Sequence, residues 1–406
     1  MTMATAPYPL TDVVFEWEGT NRAGHAVRGQ IRAMGENQVM ALLRRQGVQP
    51  VVVSRQRRSS GSAISPNDVA GFTRQLATMM KAGVPLLQCF DVVSRGNGNP
   101  RMVRLLNDIR SDVETGTSLS TAFGKYPAHF NSLYCNLVAA GETAGILDAL
   151  LDRLAVYMEK TEAMKSKIKS ALTYPAAVMV VAMVVIGIIM VVVIPAFESV
   201  FSSFGADLPG PTLFVMGISE FFVAYWWLMI GLGGVGSYVF LRMWRDSTSF
   251  QKLTDRWSLK LPVFGALLEK ACIARWTRTL STMFAAGVPL MEALELAGGT
   301  TGNSVYEQAT FTIQQEVSAG VSLNAAMTHV GVFPNMVVQM CAIGEESGSL
   351  DHMLGKAADF FEAEVDQKVA ALASLMEPFI IVVLGSLIGG IVISMYLPIF
   401  ELGQVI

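Results

Sequence analysis

The sequence predicts an all-α membrane protein: two homologous cytosolic helical bundles of about six helices each, three transmembrane helices, and a small N-terminal α/β segment. Three observations predict this. Hydrophobic residues make up 52% of the chain and charged residues only 16%, against roughly a quarter charged in soluble domains. Three runs, 176–194, 221–241 and 379–397, carry no charge at all, and ~20 apolar residues suffice to cross a bilayer as helix. The chain also repeats itself. TRQLATMMKAGVPL (73–86) and TRTLSTMFAAGVPL (277–290) share 10 of 14 positions, and GETAGILDALL (141–151) and GEESGSLDHML (344–354) share six of 11.

The first 53 residues differ from the rest. FEWEG, GQIRA and VQPVVV are short β-like runs around a helical ENQVMALLRRQ, and residues 54–65 have the polar composition of a flexible linker. Residues 66–172 form the first helical domain. Pro66 sits at a first helical position behind Ser65. AGVPL breaks that helix, because Gly accepts unusual dihedrals and Pro lacks the amide donor. Gly83 and Pro85, with their counterparts Gly287 and Pro289, are therefore fold-determining. Short connections predict antiparallel neighbours. The long amphipathic helix from Leu147 runs toward the first span, and Pro175 and Pro378 each open a span in the two repeats.

Orientation follows from the positive-inside bias. Lys160, Lys165, Lys167 and Lys169 precede the first span, and Arg242, Arg245, Lys252, Arg256 and Lys260 follow the second. The loop 195–212 and the tail 398–406 have neither Lys nor Arg. Hence the order is span 173–195, periplasmic loop 196–212, span 213–241, second cytosolic domain 242–376, span 377–398, and periplasmic tail 399–406. The middle span returns the second repeat to the side of the first. Lys160–Lys169 reads as an anchor at an anionic leaflet. Residues 1–172 hold 20 basic against 14 acidic residues, and 242–376 hold 10 against 14. We expect the basic first domain to meet the acidic second domain of a neighbouring copy, while neither is basic enough for nucleic acid.

Catalytic signatures are missing. There is no GxxxxGK[ST], no G-x-S-x-G and no HExxH, and the four cysteines and four histidines are scattered. The sequence thus predicts no enzyme, no cofactor and no metal site. GLGGVG (231–236) lies within an uncharged run, where small residues for helix contact are the simpler reading of a dinucleotide-like pattern. Gly385 and Gly389 form a candidate helix-packing face. Glu142 and Glu345 read as acidic turn residues ahead of a helix, favoured by its dipole or read by a partner. Asp148 and Asp351, Gly145 and Gly348 belong to the same turns. Arg74 and Arg278 recur in the first helix of each domain, either as ion-pair partners or as exposed cations for an acidic surface.

The duplicated RQL…AGVPL and GE…G.LD motifs, each followed by a span ending in PAF (195–197) or PIF (398–400), resemble the platform-protein family of type II secretion systems and type IV pili. FEWEG and AIGEESGSLDHML (342–354) are more similar to its pilus (PilC-type) branch. The resemblance implies a non-enzymatic inner-membrane scaffold of pilus biogenesis that couples a cytosolic motor to insertion or removal of pilin. The partners it implies are hexameric assembly and retraction ATPases, pilin, inner-membrane alignment proteins, membrane lipid and further copies of itself. The secretion-system platform is the alternative, and a small transporter subunit is disfavoured by the absence of intramembrane charge.

Overall fold

A computed structural model describes residues 13–20, 26–33, 36–45, 48–55, 61–197, 209–262 and 264–402. The N-terminal segment is a three-stranded antiparallel sheet. β1 (Val13–Thr20) lies between β2 (Ala26–Ala33) and β3 (Gln49–Arg55), with a bulge at Glu18/Gly19. Helix α1 (Glu36–Arg45) connects β2 to β3 and buries Val39 and Leu43. β3 extends through Arg55, so the tether expected from residue 54 begins later, and residues 56–60 of it lie outside the described residues.

The rest is helical. The first repeat contains α2 (Pro66–Lys81), α3 (Leu86–Gly96), α4 (Pro100–Glu114), α5 (Leu119–Gly124), α6 (Ser132–Ala144) and α7 (Leu147–Ile188), which continues through a π turn (Ile189–Val193). Then come α8 (Gly210–Asp246) and α9 (Thr248–Lys260). The second repeat contains α10 (Phe264–Ala285), α11 (Leu290–Thr300), α12 (Ser304–Ser318), α13 (Leu323–Val330), α14 (Asn335–Ser347) and α15 (Leu350–Leu402). The N-terminal sheet with Phe90–Arg110 forms one compact unit, and Pro66–Cys89 with Ser111 onward forms the other.

Within the larger unit each repeat has an aromatic centre. Phe123 packs against the tilted ring of Phe130 (4.5 Å) and meets Tyr134 (5.0 Å) and Phe72 (6.2 Å) edge-on. In the second repeat Trp276 replaces Phe72 and lies 4.3 Å from Phe333. Both large polar aromatics find partners, as burial requires: Tyr134 OH is 3.1 Å from Thr73 Oγ1, and Trp276 Nε1 donates to Thr310 Oγ1 at 2.9 Å.

Among the described residues three helices are long and apolar enough to cross a membrane: α7 with its continuation (Leu147–Phe197), α8 (Gly210–Trp244) and α15 (Leu350–Pro398). The prolines expected to open two of these spans instead lie inside unbroken helices of 42 and 53 residues. A proline deletes one backbone bond but need not end a helix that is otherwise held on both sides.

The prolines that close the repeats have a different consequence. Pro398 cannot donate to the Ser394 carbonyl, and Thr212 Oγ1 of α8 takes that place at 2.5 Å. In the π turn Ile194 donates to Ile189, so the next donor in register would be residue 195, which is Pro195. The Met190 carbonyl left open accepts from Ser219 Oγ of α8. Around these two bonds Met190, Ile194, Met216 and Ile391 form a small apolar cluster. An unsatisfied carbonyl in hydrocarbon costs several kcal/mol, so α8 is fastened to both repeat spans where they need a donor. Gly385 and Gly389, by contrast, meet nothing within 4 Å of an added Cβ. Within one chain they are not the packing face; Ile391, Ser394 and Met395 are.

We predict that Thr212→Val and Ser219→Ala each weaken span packing by about 0.5–1.5 kcal/mol, read as a lower thermal midpoint in detergent. The Thr212→Val loss should shrink in a Pro398→Ala background, where an amide can serve Ser394 again.

Candidate functional site

The repeated residues fall into two constellations per lobe. The first is the turn set. Gly83 (φ 82°) and Gly287 (φ 76°) end α2 and α10 in the left-handed region, where a Cβ is strained. Pro85 and Pro289 then start α3 and α11, their carbonyls accepting from Cys89 and Ala293. Gly145 and Gly348 (both φ 69°) close α6 and α14 in the same conformation.

Glu142 and Glu345, expected in the turns just ahead of a helix, lie instead within the last turn of α6 and α14. Each serves a helix distant in sequence. Glu142 accepts from the amides of Leu119 (2.6 Å) and Ser120 (3.0 Å) at the start of α5; Glu345 accepts from Leu323 (2.7 Å) and Asn324 (3.0 Å) at the start of α13. The carboxylate thus caps a positive helix end across the lobe. The neighbouring glycines, Gly141 and Gly344, allow the approach of the next helix: an added Cβ would stand 3.0 Å and 2.9 Å from the Cα atoms of Leu147 and Leu350. Asp148 and Asp351 lie in the first turns of α7 and α15, where a negative charge suits the helix dipole.

The second constellation is ionic. Arg74 grips Glu159 with two bonds (2.7 and 2.8 Å) and Asp152 with a third (2.5 Å). Arg278 binds Glu362 (2.7 Å) and Asp359 (2.5 Å). Both arginines are therefore paired to the long helix of their own lobe rather than presented as free cations. The Glu159 hydrogen bonds raise the Arg74 pKa, and Arg74 in turn holds Glu159 below the usual carboxylate range. Burial raises the Asp359 carboxyl, but Lys160 and Arg278 outweigh it and leave it lowered.

Lys160 supplies the link between lobes. Its Nζ lies 2.7 Å from Asp359 Oδ1 and 3.2 Å from Glu362 Oε2, and Lys167 Nζ lies 2.6 Å from Asp366 Oδ2. Two of the lysines expected at a lipid surface, Lys160 and Lys167, thus bind the acidic face of α15, while Lys165 pairs with Glu162. The basic–acidic complementarity assigned to neighbouring copies is met inside one chain. Deeper in the same seam Thr279 Oγ1 stands 3.4 Å from the buried Tyr157 hydroxyl. The acidic partners Asp152, Glu159, Asp359 and Glu362 were not singled out from sequence, although Glu159 and Glu362 sit at equivalent repeat positions and that equivalence was available.

Among the described residues no group of three or more His, Cys, Asp or Glu is placed to hold a metal. Cys89, Cys272 and Cys341 are buried free thiols, and burial pushes Cys341 up to about 12.

A duplicated helical lobe whose last helix runs on as a membrane span defines a tandem-repeat multi-pass membrane protein. The chain belongs to the family described as type II secretion system (T2SS), protein F, whose pattern matches residues 72–195 and again 276–398; the N-terminal domain of that family matches residues 3–54. It is 50% identical to the type IV pilus assembly protein PilC of Pseudomonas aeruginosa, over 91% of this chain and 99% of the relative. It is 48% identical to the type IV pilus assembly protein TapC of Aeromonas hydrophila, over 98% and 97%. The type II secretion system protein F of Pseudomonas aeruginosa matches at 31% over 97% and 99%.

Two predictions follow from the geometry. Glu142→Ala and Glu345→Ala each remove a charged acceptor from two amides and should cost about 1–3 kcal/mol, with Gln losing less; partner recovery falling at an unchanged melting temperature would oppose the capping role. The second concerns pH. A folded-state carboxylate pKa below its unfolded value stabilises above the unfolded value, and that stabilisation fades as pH falls through the folded one. Glu159 and Asp359 should therefore lose their contribution below about pH 4. Arg74→Met with Arg278→Met should flatten the drop in melting temperature between neutrality and about pH 3.

Proposed function

We propose that this protein is a non-enzymatic platform for type IV pilus assembly in a bacterial inner membrane, with its N-terminus and both lobes cytosolic and its C-terminus periplasmic. One observation carries the mechanical part of this reading. α7 and α15 each begin inside a lobe and continue without a break into the bilayer. A load applied to a lobe is passed to a span as displacement of a single rigid element, not through a loop. The salt bridges from Lys160 and Lys167 to α15 couple the two lobes, so that a motor acting on either moves both.

The higher identity to pilus assembly proteins than to secretion proteins favours the pilus branch. The partners this reading carries are hexameric cytosolic ATPases for assembly and retraction, pilin, inner-membrane alignment proteins and other copies of the chain. ATP is hydrolysed by the motor, not by the platform. Glu142, Glu345, Asp148 and Asp351 lie at the lobe end opposite the spans, along α7 and α15, and we place motor contact at that end.

A deletion strain should lose surface fibres and twitching and regain both on complementation. Detergent-solubilised full-length protein should recover a hexameric ATPase and show no ATP turnover by itself. Intact fibres with blocked protein export in the deletion strain would replace the pilus reading with the secretion one.

A further inference from the structure

α9 carries apolar side chains on both faces: Phe250 and Leu259 are half-buried, and a second apolar stripe faces outward. Its polar residues Thr254, Asp255 and Ser258 are half-buried, while Leu253 (54% exposed), Trp257 (67%) and the following Leu261 (51%) face outward. None of its residues is buried. Apolar side chains normally turn to the core and polar ones to water. Here the inward polar group has a structural purpose: Asp255 Oδ2 accepts from the Ser304 amide at 2.8 Å, capping α12, and the Asp255 carbonyl accepts from Asn303 Nδ2. The corner after α9 is equally fixed, since a Cβ on Gly265 would stand 2.1 Å from the Leu259 carbonyl oxygen. The outward face is therefore held in place by the lobe.

Two further facts indicate what covers that face. α9 follows helix α8 after one residue, Ser247, and folds back so that Phe250 lies 5.6 Å from Phe240 near the end of the apolar run. It therefore starts at the level where the span leaves the hydrocarbon. Lys252, Arg256 and Lys260 recur every four residues, each beside Leu253, Trp257 and Leu261, and all three are exposed. An apolar stripe with tryptophan, flanked by a cationic stripe, is the chemistry of the interface of an anionic leaflet. Among the described residues α9 has no counterpart in the first repeat, where the corresponding position falls before α2.

We propose that α9 is an interfacial helix that lies on the membrane surface, with Leu253, Trp257 and Leu261 among the acyl chains and Lys252, Arg256 and Lys260 on anionic headgroups. This goes beyond the platform reading and depends only on α8 crossing the bilayer, not on the pilus assignment. Anchored there, the second lobe is held flat at the surface by a contact the first lobe lacks.

The test uses the full-length protein reconstituted in vesicles of phosphatidylethanolamine and phosphatidylglycerol, with a benzophenone amino acid replacing Leu253 or Trp257. Ile343 (51% exposed), beside the start of α15, serves as control. It lies about 40 Å along that helix from the apolar run. Photoadducts to phospholipid are expected at 253 and 257 in several-fold excess over 343. Lys252→Glu, Arg256→Glu and Lys260→Glu together should lower the yield at 257 several-fold in these vesicles and leave it unchanged in vesicles of phosphatidylcholine. Adducts to a second copy of this chain instead of lipid, or a lipid yield no higher than at 343, would overturn the proposal. A yield insensitive to the charge reversal would overturn its anionic half.

Discussion

Everything in this protein depends on the last helix of each lobe being its membrane span. A helix that crosses from water to hydrocarbon keeps its backbone bonded throughout, so it can pass the boundary without a loop that lipid would leave unsatisfied. α7 and α15 exploit this over 42 and 53 residues. The helices are also the ground on which each lobe is built. Arg74 and Arg278 of the first helices reach across to Glu159 and Glu362 on the long ones. An exposed pair such as Arg74–Glu159 contributes little by itself, about 0.2–1 kcal/mol, while Arg278–Glu362 is more deeply buried. Their effect here is geometric: a bidentate guanidinium fixes the angle between two helices.

The same constraint explains α8. Two repeats with the same insertion direction need a crossing between them, and that crossing could have been a passive return. Instead its Thr212 and Ser219 donate to the carbonyls that the terminal prolines leave open on α15 and after α7. The prolines that cost each repeat span a backbone bond thereby create the acceptors by which the inserted helix is held. Most of the remaining α8 surface meets no other described part of the chain: its apolar side chains from Phe221 to Leu241 are widely exposed, as a lipid-facing helix permits.

Duplication did not produce two identical lobes. Asp152 supports Arg74, whereas the equivalent position in the second lobe is Gly355; Asp359 supports Arg278, whereas its equivalent in the first is Val156. Moving the second carboxylate along the helix puts Asp359 within reach of Lys160. One substitution pair therefore converts an ion pair internal to a lobe into a bridge between lobes. α9, which precedes the second repeat and packs on its lobe through Asp255 and Ser304, deepens the asymmetry.

The sequence by itself determined the three spans, the repeat and the positions of the turn residues, because hydropathy, identity at a fixed offset and the backbone needs of Gly83, Pro85, Gly145 and their counterparts are local properties. It also showed that Arg74 and Arg278 were equivalent. Which acid each would meet was not legible, since Glu159 and Glu362 stand 85 and 84 residues away and are brought together only by antiparallel packing. Glu142 and Glu345 were misread for the same reason: an acidic residue near a helix start suggests the neighbouring dipole, while the amides they cap lie more than 20 residues upstream. The fate of Lys160 and Lys167 turned on tertiary structure entirely, because a cation beside a span suits a lipid headgroup and a carboxylate equally until the facing helix is in place.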